Sequence, residues 1–261
     1  MNCSVMTCFM RLLKRPNFLM PVFQLNSVLN GLSVYKVRGF HNRPFNRIDS
    51  NISGRNRFCS SQPRGNGLPK LTDLPIVYWP SFLKYAKNAI LSRFIIQQRY
   101  DQGFDLEQFI LGSREAVGVV SSYISKGDLK SLKDLVTPDV VAEMSQNLSK
   151  FSLKQVLELK INPQDMYMCF PYEVGIILPE DDDNDLRFVE ITMCYHVLSG
   201  FKEIAASPDY SLQLINFEDN IYILNYRFFK DFSKGRANSQ WIINGLNHCK
   251  PLISNYSDRS N

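Results

Sequence analysis

Residues 188–197 read FVEITMCYHV, a run in which apolar and more polar side chains alternate. A period of two predicts a β-strand with one buried face, because successive side chains of a strand point to opposite sides of the sheet. One face would carry Val189, Ile191, Met193, Tyr195 and Val197. The other would carry Glu190, Thr192, Cys194 and His196.

The same period appears on both sides of this run. Residues 166–178, MYMCFPYEVGIIL, predict a preceding strand, and Pro171 places it at a sheet edge or at a bulge. The acidic stretch Glu180–Asp185 predicts the turn between the two strands. Segments 212–217, 221–229 and 241–246 complete the predicted set of antiparallel strands.

Upstream of residue 160 the apolar spacing becomes helical. Residues 81–100 predict one helix, and a second begins at Asp105, an N-cap with Gln108 three residues later. Gly127 suits the end of that helix, and Asp128 can cap a short helix through Val136. Thr137-Pro138 predicts the start of a helix that runs toward Lys150. Helices followed by antiparallel strands indicate an α+β fold, with the N-terminal helices packed over the sheet.

The charge distribution divides the chain into a basic leader and an acidic body. The full chain has 30 basic and 25 acidic residues. The first 70 residues contain 11 of the basic residues and a single acidic residue, Asp49. The remainder carries 19 basic and 24 acidic residues. A long acid-poor, arginine-containing N-terminus predicts a mitochondrial transit peptide, and a disordered basic tail that binds nucleic acid or acidic lipid is the alternative.

The presequence cleavage region is predicted at Arg57, Phe58, Cys59 and Ser60, which resemble the pattern favoured by the matrix processing peptidase. We therefore expect a transit peptide at 1–58 and a proline- and glycine-rich linker at 59–79. The main domain would span 80–252, and a tail 253–261. The apolar runs are too short for a transmembrane helix.

The predicted helix 81–100 has no acidic residue, and its cations are Lys84, Lys87, Arg93 and Arg99. A basic amphipathic helix with aromatic residues can lie on an anionic membrane, so these four are membrane-contact candidates. The alternative is a helix that packs on the domain and exposes its cations.

The sequence contains none of the phosphate-loop, dinucleotide-binding, zinc-protease or nucleophile-elbow motifs, so neither an enzyme nor a cofactor is expected. His196 and His248 have no catalytic partner in the sequence and are interpreted as structural. The six cysteines lack metal-ligand spacing, and the acidic stretch does not match a calcium loop. A net-acidic body does not favour DNA as a partner. An enzyme with a carboxylate beside a tyrosine stays a competing hypothesis, although Glu190 and Tyr195 fall on opposite strand faces.

Residues 104–116, FDLEQFILGSREA, followed by 120–135 and Thr137-Pro138, resemble the opening of the C-terminal domain of the Tim44-like family. The matching positions are Phe104, Phe109, Gly112, Ala116 and the turn 127–129. Within that family, the strand 188–197 and the segment 226–235, with Trp241 and His248, resemble the members that bind the mitochondrial m-AAA protease.

The resemblance implies a nuclear-transport-factor-two-like cone of helices over a curved antiparallel sheet. It also implies a matrix protein, peripheral to the inner membrane, that binds m-AAA protease subunits. It would act like a chaperone for an imported precursor, that of the small essential subunit of the calcium uniporter, until maturation. The alternative is a mitoribosome-associated or membrane-tethering subunit. The long N-terminal segment of the import-motor tether is missing, so a motor-tether function is not expected.

A groove on a net-acidic body would suit a basic presequence helix. The candidate floor residues are Met166, Met168, Met193 and Tyr195, because methionine adapts to varied partners. The alternative is that all four belong to the core, since alternating apolar residues of strands usually face the interior.

Overall fold

A five-stranded sheet with the order β1-β2-β3-β4-β5 forms the centre of the molecule. The computed structural model describes residues 34–37, 67–179, 187–201, 220–233 and 239–251, all within one compact unit, Val34–Asn261. The strands are β1 (Val34–Val37), β2 (Met166–Pro179), β3 (Phe188–Leu198), β4 (Ile221–Asp231) and β5 (Ile242–Cys249). Strands β2 to β5 are antiparallel, and β1 pairs with β2 in parallel.

The helices precede these four antiparallel strands, which confirms the predicted α+β fold. They are α1 (Phe82–Ile90), which continues as a wider π-helix (Leu91–Tyr100), α2 (Leu106–Ser125), α3 (Pro138–Leu148) and α4 (Leu153–Glu158). Short 3-10 turns lie at Lys130–Leu132 and Pro163–Asp165. Two predicted segments, the strand 212–217 and the turn Glu180–Asp185, lie outside the described residues, as does the cleavage region Arg57–Ser60.

The predicted helix ends have a clear local cause. The side chain of Asp105 accepts a hydrogen bond from the backbone N–H of Gln108 at 2.8 Å and so caps α2. Gly127 ends that helix with a φ of 71°, a left-handed conformation that glycine adopts without steric cost. Pro138 occupies the first turn of α3, where its missing N–H removes no helical hydrogen bond.

Helix α2 covers one face of the sheet, here called the inner face. The Phe109 ring meets the Phe228 ring of β4 edge-on, with 5.4 Å between the ring centroids. Its centroid lies 4.8 Å from that of the Trp241 ring. The inner-face residues of β3 are almost completely buried, with Ile191, Met193 and Tyr195 at 0% exposure. Their alternation confirms the predicted face assignment of this strand.

The opposite, outer face is covered by residues 67–79, here called the N-terminal strap. This extended segment falls within the predicted linker, yet Leu71 is fully buried and Leu68 and Leu74 are nearly so. Burial of these leucines holds the segment against the sheet. Its linker composition would instead suggest a solvated backbone. In the described part of the chain, no helix has the length and apolarity needed to cross a bilayer.

Candidate interaction surfaces

Two buried asparagines attach the strap to the outer face. Asn247 of β5 accepts hydrogen bonds from the N–H groups of Leu71 and Thr72 at 2.8 and 2.9 Å, and its amide donates to the carbonyls of Thr72 and Leu74. Asn225 of β4 binds both backbone groups of Val77, at 2.8 and 3.0 Å. The asparagine side chains therefore satisfy strap backbone groups that would otherwise be buried without partners.

His196 continues this attachment toward the end of the strap. Its Nε2 lies 2.7 Å from the Tyr78 carbonyl, so Nε2 donates, and Nδ1 can accept from the Tyr167 hydroxyl at 3.4 Å. Burial lowers the pKa of His196, although the Tyr78 carbonyl opposes that shift. The histidine that the sequence places on the polar face of β3 therefore orients the strap and is not exposed for catalysis.

A tyrosine–histidine pair lies on the inner face. The Tyr226 hydroxyl is 2.8 Å from Nε2 of His248, and the Tyr195 ring meets the Tyr226 ring edge-on at 6.2 Å. Burial raises the pKa of both tyrosines and lowers that of His248 to about 3, so all three are uncharged at neutral pH. These side chains are at most 1% exposed. Glu190, on the outer face, accepts from the Asn244 amide at 2.6 Å and does not join them.

The described cysteines are free thiols that stay protonated. Burial raises the pKa of Cys194 to about 12 and that of Cys169 to about 11. A protonated thiol is a poor nucleophile and a poor metal ligand. No group of three or more histidine, cysteine or acidic residues able to hold a metal ion occurs among the described residues.

Three of the four groove-floor candidates are buried, and the fourth, Met168, is partly buried. Met193 and Tyr195 are 0% exposed and Met166 is 4% exposed, while Met168 packs against the cluster of Phe170, Cys194 and Ile223. A register shift between Met166 and Met168 pairs Met166 with Val197 and Met168 with His196, so the two methionines face opposite sides. The sheet is covered on both faces, and its alternating apolar residues are therefore core.

The four membrane-contact candidates separate into two pairs. Lys84 binds Glu173 at 3.0 Å and lies over the Tyr172 ring, and these partners raise its pKa despite the opposing effect of burial. Lys87 is half-buried, and burial lowers its pKa. Arg93 and Arg99 are exposed. Exposed apolar side chains lie on the same helix, with Leu83 at 85% and Phe94 at 42%.

A second exposed apolar surface, not predicted from the sequence, lies at α4. Leu153 and Leu157 are 86% and 69% exposed and lie one turn apart. Leu157 also lines an open cleft of about 840 Å³. The titratable residues that line it are Lys154, Glu158, Lys160, Asp165, Tyr222 and Lys250. Two leucines four residues apart in a helix were the available signal, but in most helices such a pair faces the core.

Comparison with known proteins shows what part of the chain is similar to a known domain. The profile of the Tim44-like domain matches residues 95–163, which run from the π-helix through α4 to the turn before β2. Proteins named m-AAA protease-interacting protein 1, mitochondrial, also match. The rat protein is 23% identical over 170 residues, covering 61% of this chain and 56% of its own length. The human protein is 21% identical over 169 residues, covering 62% and 57%.

The matched part therefore spans little more than half the length of these relatives. The order of elements, with helices first and an open antiparallel sheet after them, agrees with the nuclear-transport-factor-two-like fold of this domain. Residues 95–163 are thus similar to the Tim44-like domain and, across about three fifths of its length, the chain resembles m-AAA protease-interacting protein 1.

Proposed function

We propose that this protein is a non-enzymatic mitochondrial adaptor that binds the m-AAA protease on the matrix side of the inner membrane. In that role it holds an imported precursor, that of the small essential subunit of the calcium uniporter, and protects it until maturation. The observation that carries the proposal is the similarity to relatives whose name states an interaction with the m-AAA protease. The acid-poor leader supports a mitochondrial location.

The interior of the domain supports a binding role over a catalytic one. The titratable groups of the inner face, Tyr195, Tyr226 and His248, are uncharged and closed off from solvent. A general acid or base has to reach a bound substrate within hydrogen-bond distance. The accessible features of the described residues are instead exposed apolar side chains, which are typical of protein or membrane contacts.

The α4 surface supplies the client contact in this proposal. Leu153 and Leu157 present an apolar pair to the apolar side of a bound amphipathic segment. The adjoining cleft carries three lysines and two carboxylates, so the contact rests on the two leucines and not on charge. Photo-crosslinkers placed at Leu157 test this inside the organelle, with Val119, which is 46% exposed on α2, as the matched site. We expect precursor and m-AAA crosslinks at Leu157 in clear excess over Val119.

The crosslinking result also separates the adaptor from its alternative. If neither m-AAA subunits nor any precursor were crosslinked or co-purified with the full chain, the adaptor proposal would fail. If large-subunit ribosomal proteins dominated the crosslinks, a mitoribosome-tethering role would replace it.

The membrane contact is proposed at the exposed part of the first helix, where Leu83, Arg93 and Phe94 are exposed. Each cation near an anionic surface contributes about 1 kcal/mol, so changing Arg93 and Arg99 to Gln should lower binding to cardiolipin-containing vesicles by roughly 30-fold at low salt. The control changes Lys126 and Lys133, both exposed elsewhere, to Gln. Equal binding of the two double variants would exclude this helix as the electrostatic anchor.

A further inference from the structure

The edge of β2 that does not pair with β3 is covered by three separate groups. Near its start, the Arg114 guanidinium donates to the Met166 carbonyl at 3.3 Å. In its middle, the Asn88 side chain binds the Pro171 carbonyl and the Val174 N–H at 3.0 and 2.9 Å. At its end, β1 pairs with Ile176–Pro179. Arg114 and Asn88 belong to the folded domain, but β1 lies within the predicted transit peptide.

Removal of the leader would therefore uncover β2 at residues 176–179. An edge strand without a partner presents a row of N–H and C=O groups that can pair with another extended chain. The site already accepts such a chain, because Val34–Val37 binds as a parallel strand in the register Val34↔Ile176 to Val37↔Pro179. Main-chain pairing of this kind depends little on the sequence of the added strand.

The charges favour an arginine-bearing, acid-free segment. The parallel register sets Val37 beside Pro179, and the next residues along the two chains are Arg38 and Glu180. The leader continues with Arg43 and Arg47, while the chain after Pro179 continues with four aspartates before Leu186. Opposite charges that follow a paired strand favour one direction of binding over the other.

We propose that the β2 edge at Ile176–Pro179 is a strand-acceptor site for the extended, arginine-bearing presequence of another imported chain. The protein's own leader fills the site through Val34–Val37 until it is removed. The identity of the occupant as an imported precursor rests on the proposed adaptor function. Processing of the leader then converts a self-occupied edge into an open one.

The alternation of hydrogen bonds along β2 allows a sharp test. The Val174 N–H faces outward to Asn88, and the register continues without a shift to Ile177. The N–H groups of Ile176 and Leu178 therefore also face outward, toward β1. In a parallel pair, the Tyr35 N–H then donates to the Ile176 carbonyl and the Leu178 N–H donates to the Tyr35 carbonyl, while the N–H of Lys36 faces away.

The first experiment compares the full chain with its Tyr35→Pro and Lys36→Pro variants by residue-resolved hydrogen–deuterium exchange. Proline removes the N–H, so Tyr35→Pro should break the pairing, whereas Lys36→Pro loses only an outward-facing N–H. We expect the amide of Leu178 to exchange at least tenfold faster in Tyr35→Pro than in Lys36→Pro. Equal exchange in the wild type and both variants would overturn the proposal.

The second experiment adds a synthetic peptide of residues 31–42, GLSVYKVRGFHN, to the Tyr35→Pro chain. The peptide should restore slow exchange at Leu178. A peptide N-methylated at Tyr35 should not restore it, and one N-methylated at Lys36 should. No protection by any peptide, or equal protection by both methylated peptides, would remove the acceptor site. Such a result would not change the m-AAA crosslinks expected for the adaptor. Conversely, a failure of the crosslinking experiment would not change the expected peptide binding, so the two proposals fail independently.

Discussion

The inner face of the sheet and the centre of its outer face are both buried, but by different chemistry. On the inner face, Met193 is 0% exposed beneath a helical layer that offers mainly apolar side chains. On the outer face, Asn225 and Asn247 are also 0% exposed, but they lie beneath an extended strap whose backbone they bind. Helices satisfy their own backbone groups, whereas an extended strap needs partners from the sheet.

The two faces should therefore respond differently to the same kind of substitution. An inner-face side chain contributes through its volume, so a change that conserves volume is tolerated. An outer-face asparagine contributes through hydrogen bonds, so even an isosteric apolar replacement leaves buried backbone groups without partners. The predictions below test this difference by urea unfolding of the full chain.

The largest effect is expected for Asn247→Leu. This change removes the hydrogen bonds to Leu71, Thr72 and Leu74 and should lower the free energy of unfolding by about 3–5 kcal/mol, since each unsatisfied buried group costs about 1–3 kcal/mol. Met193→Leu on the inner face is the matched control and should cost less than about 1.5 kcal/mol. Similar losses in both variants would contradict the contrast between the faces.

The close approach of α2 to the turn before β2 should limit which side chains the helix tolerates there. A Cβ added at Gly118 would lie 2.5 Å from Cγ of Pro163, whereas nothing lies within 4 Å of the same position at Gly112. Gly118→Ala should cost about 1–3 kcal/mol through overpacking. Gly112→Ala should stabilise by roughly 0.5–1 kcal/mol, because alanine has the higher helix propensity. If the two changes shifted the urea midpoint in the same direction, contact with Pro163 would not limit the size of the residue at position 118.

Acid should destabilise the inner face through His248. Its pKa is about 3 in the folded protein against 6.5 for the free side chain, so the unfolded chain takes up a proton that the folded chain does not. The contribution of the neutral His248 side chain to the free energy of unfolding is fully present above pH 6.5 and is lost as the pH falls toward 3. At pH 5 the loss is about 2 kcal/mol, at 1.36 kcal/mol per pKa unit. His248→Gln should flatten this dependence, and an unchanged slope between pH 6.5 and 5 would contradict it.

Local features of the fold could be predicted from the sequence. The alternation along β3, the Asp105 cap and the Gly127 stop depend on residues within a few positions of one another, so a single sequence displays them. The same alternation does not show whether a face is open or covered. That is why Met193 and Tyr195 could be candidates for a groove floor although the core was the expected alternative.

The strap could not be predicted because its partners are remote. Pro69, Pro75 and Gly67 give the segment a linker composition, while Asn247 binds it from 175 residues away. No local pattern links the two, and a buried asparagine resembles an exposed one in the sequence. The α4 surface was missed for the opposite reason, because Leu153 and Leu157 look like core residues but are exposed.

The smallest effect is expected for Thr72, which covers the edge of β5 at Leu246. Its hydroxyl donates to the Leu246 carbonyl at 2.8 Å and accepts from the Leu246 N–H at 3.3 Å. Thr72→Val keeps the shape and should cost about 1–2 kcal/mol, while Thr72→Ser keeps the hydroxyl and should cost less. If serine were as destabilising as valine, the methyl group and not the hydroxyl would hold the strap at this edge. The outer face would then depend on side-chain packing at Thr72 just as the inner face does at Met193, and the contrast would be confined to the two asparagines.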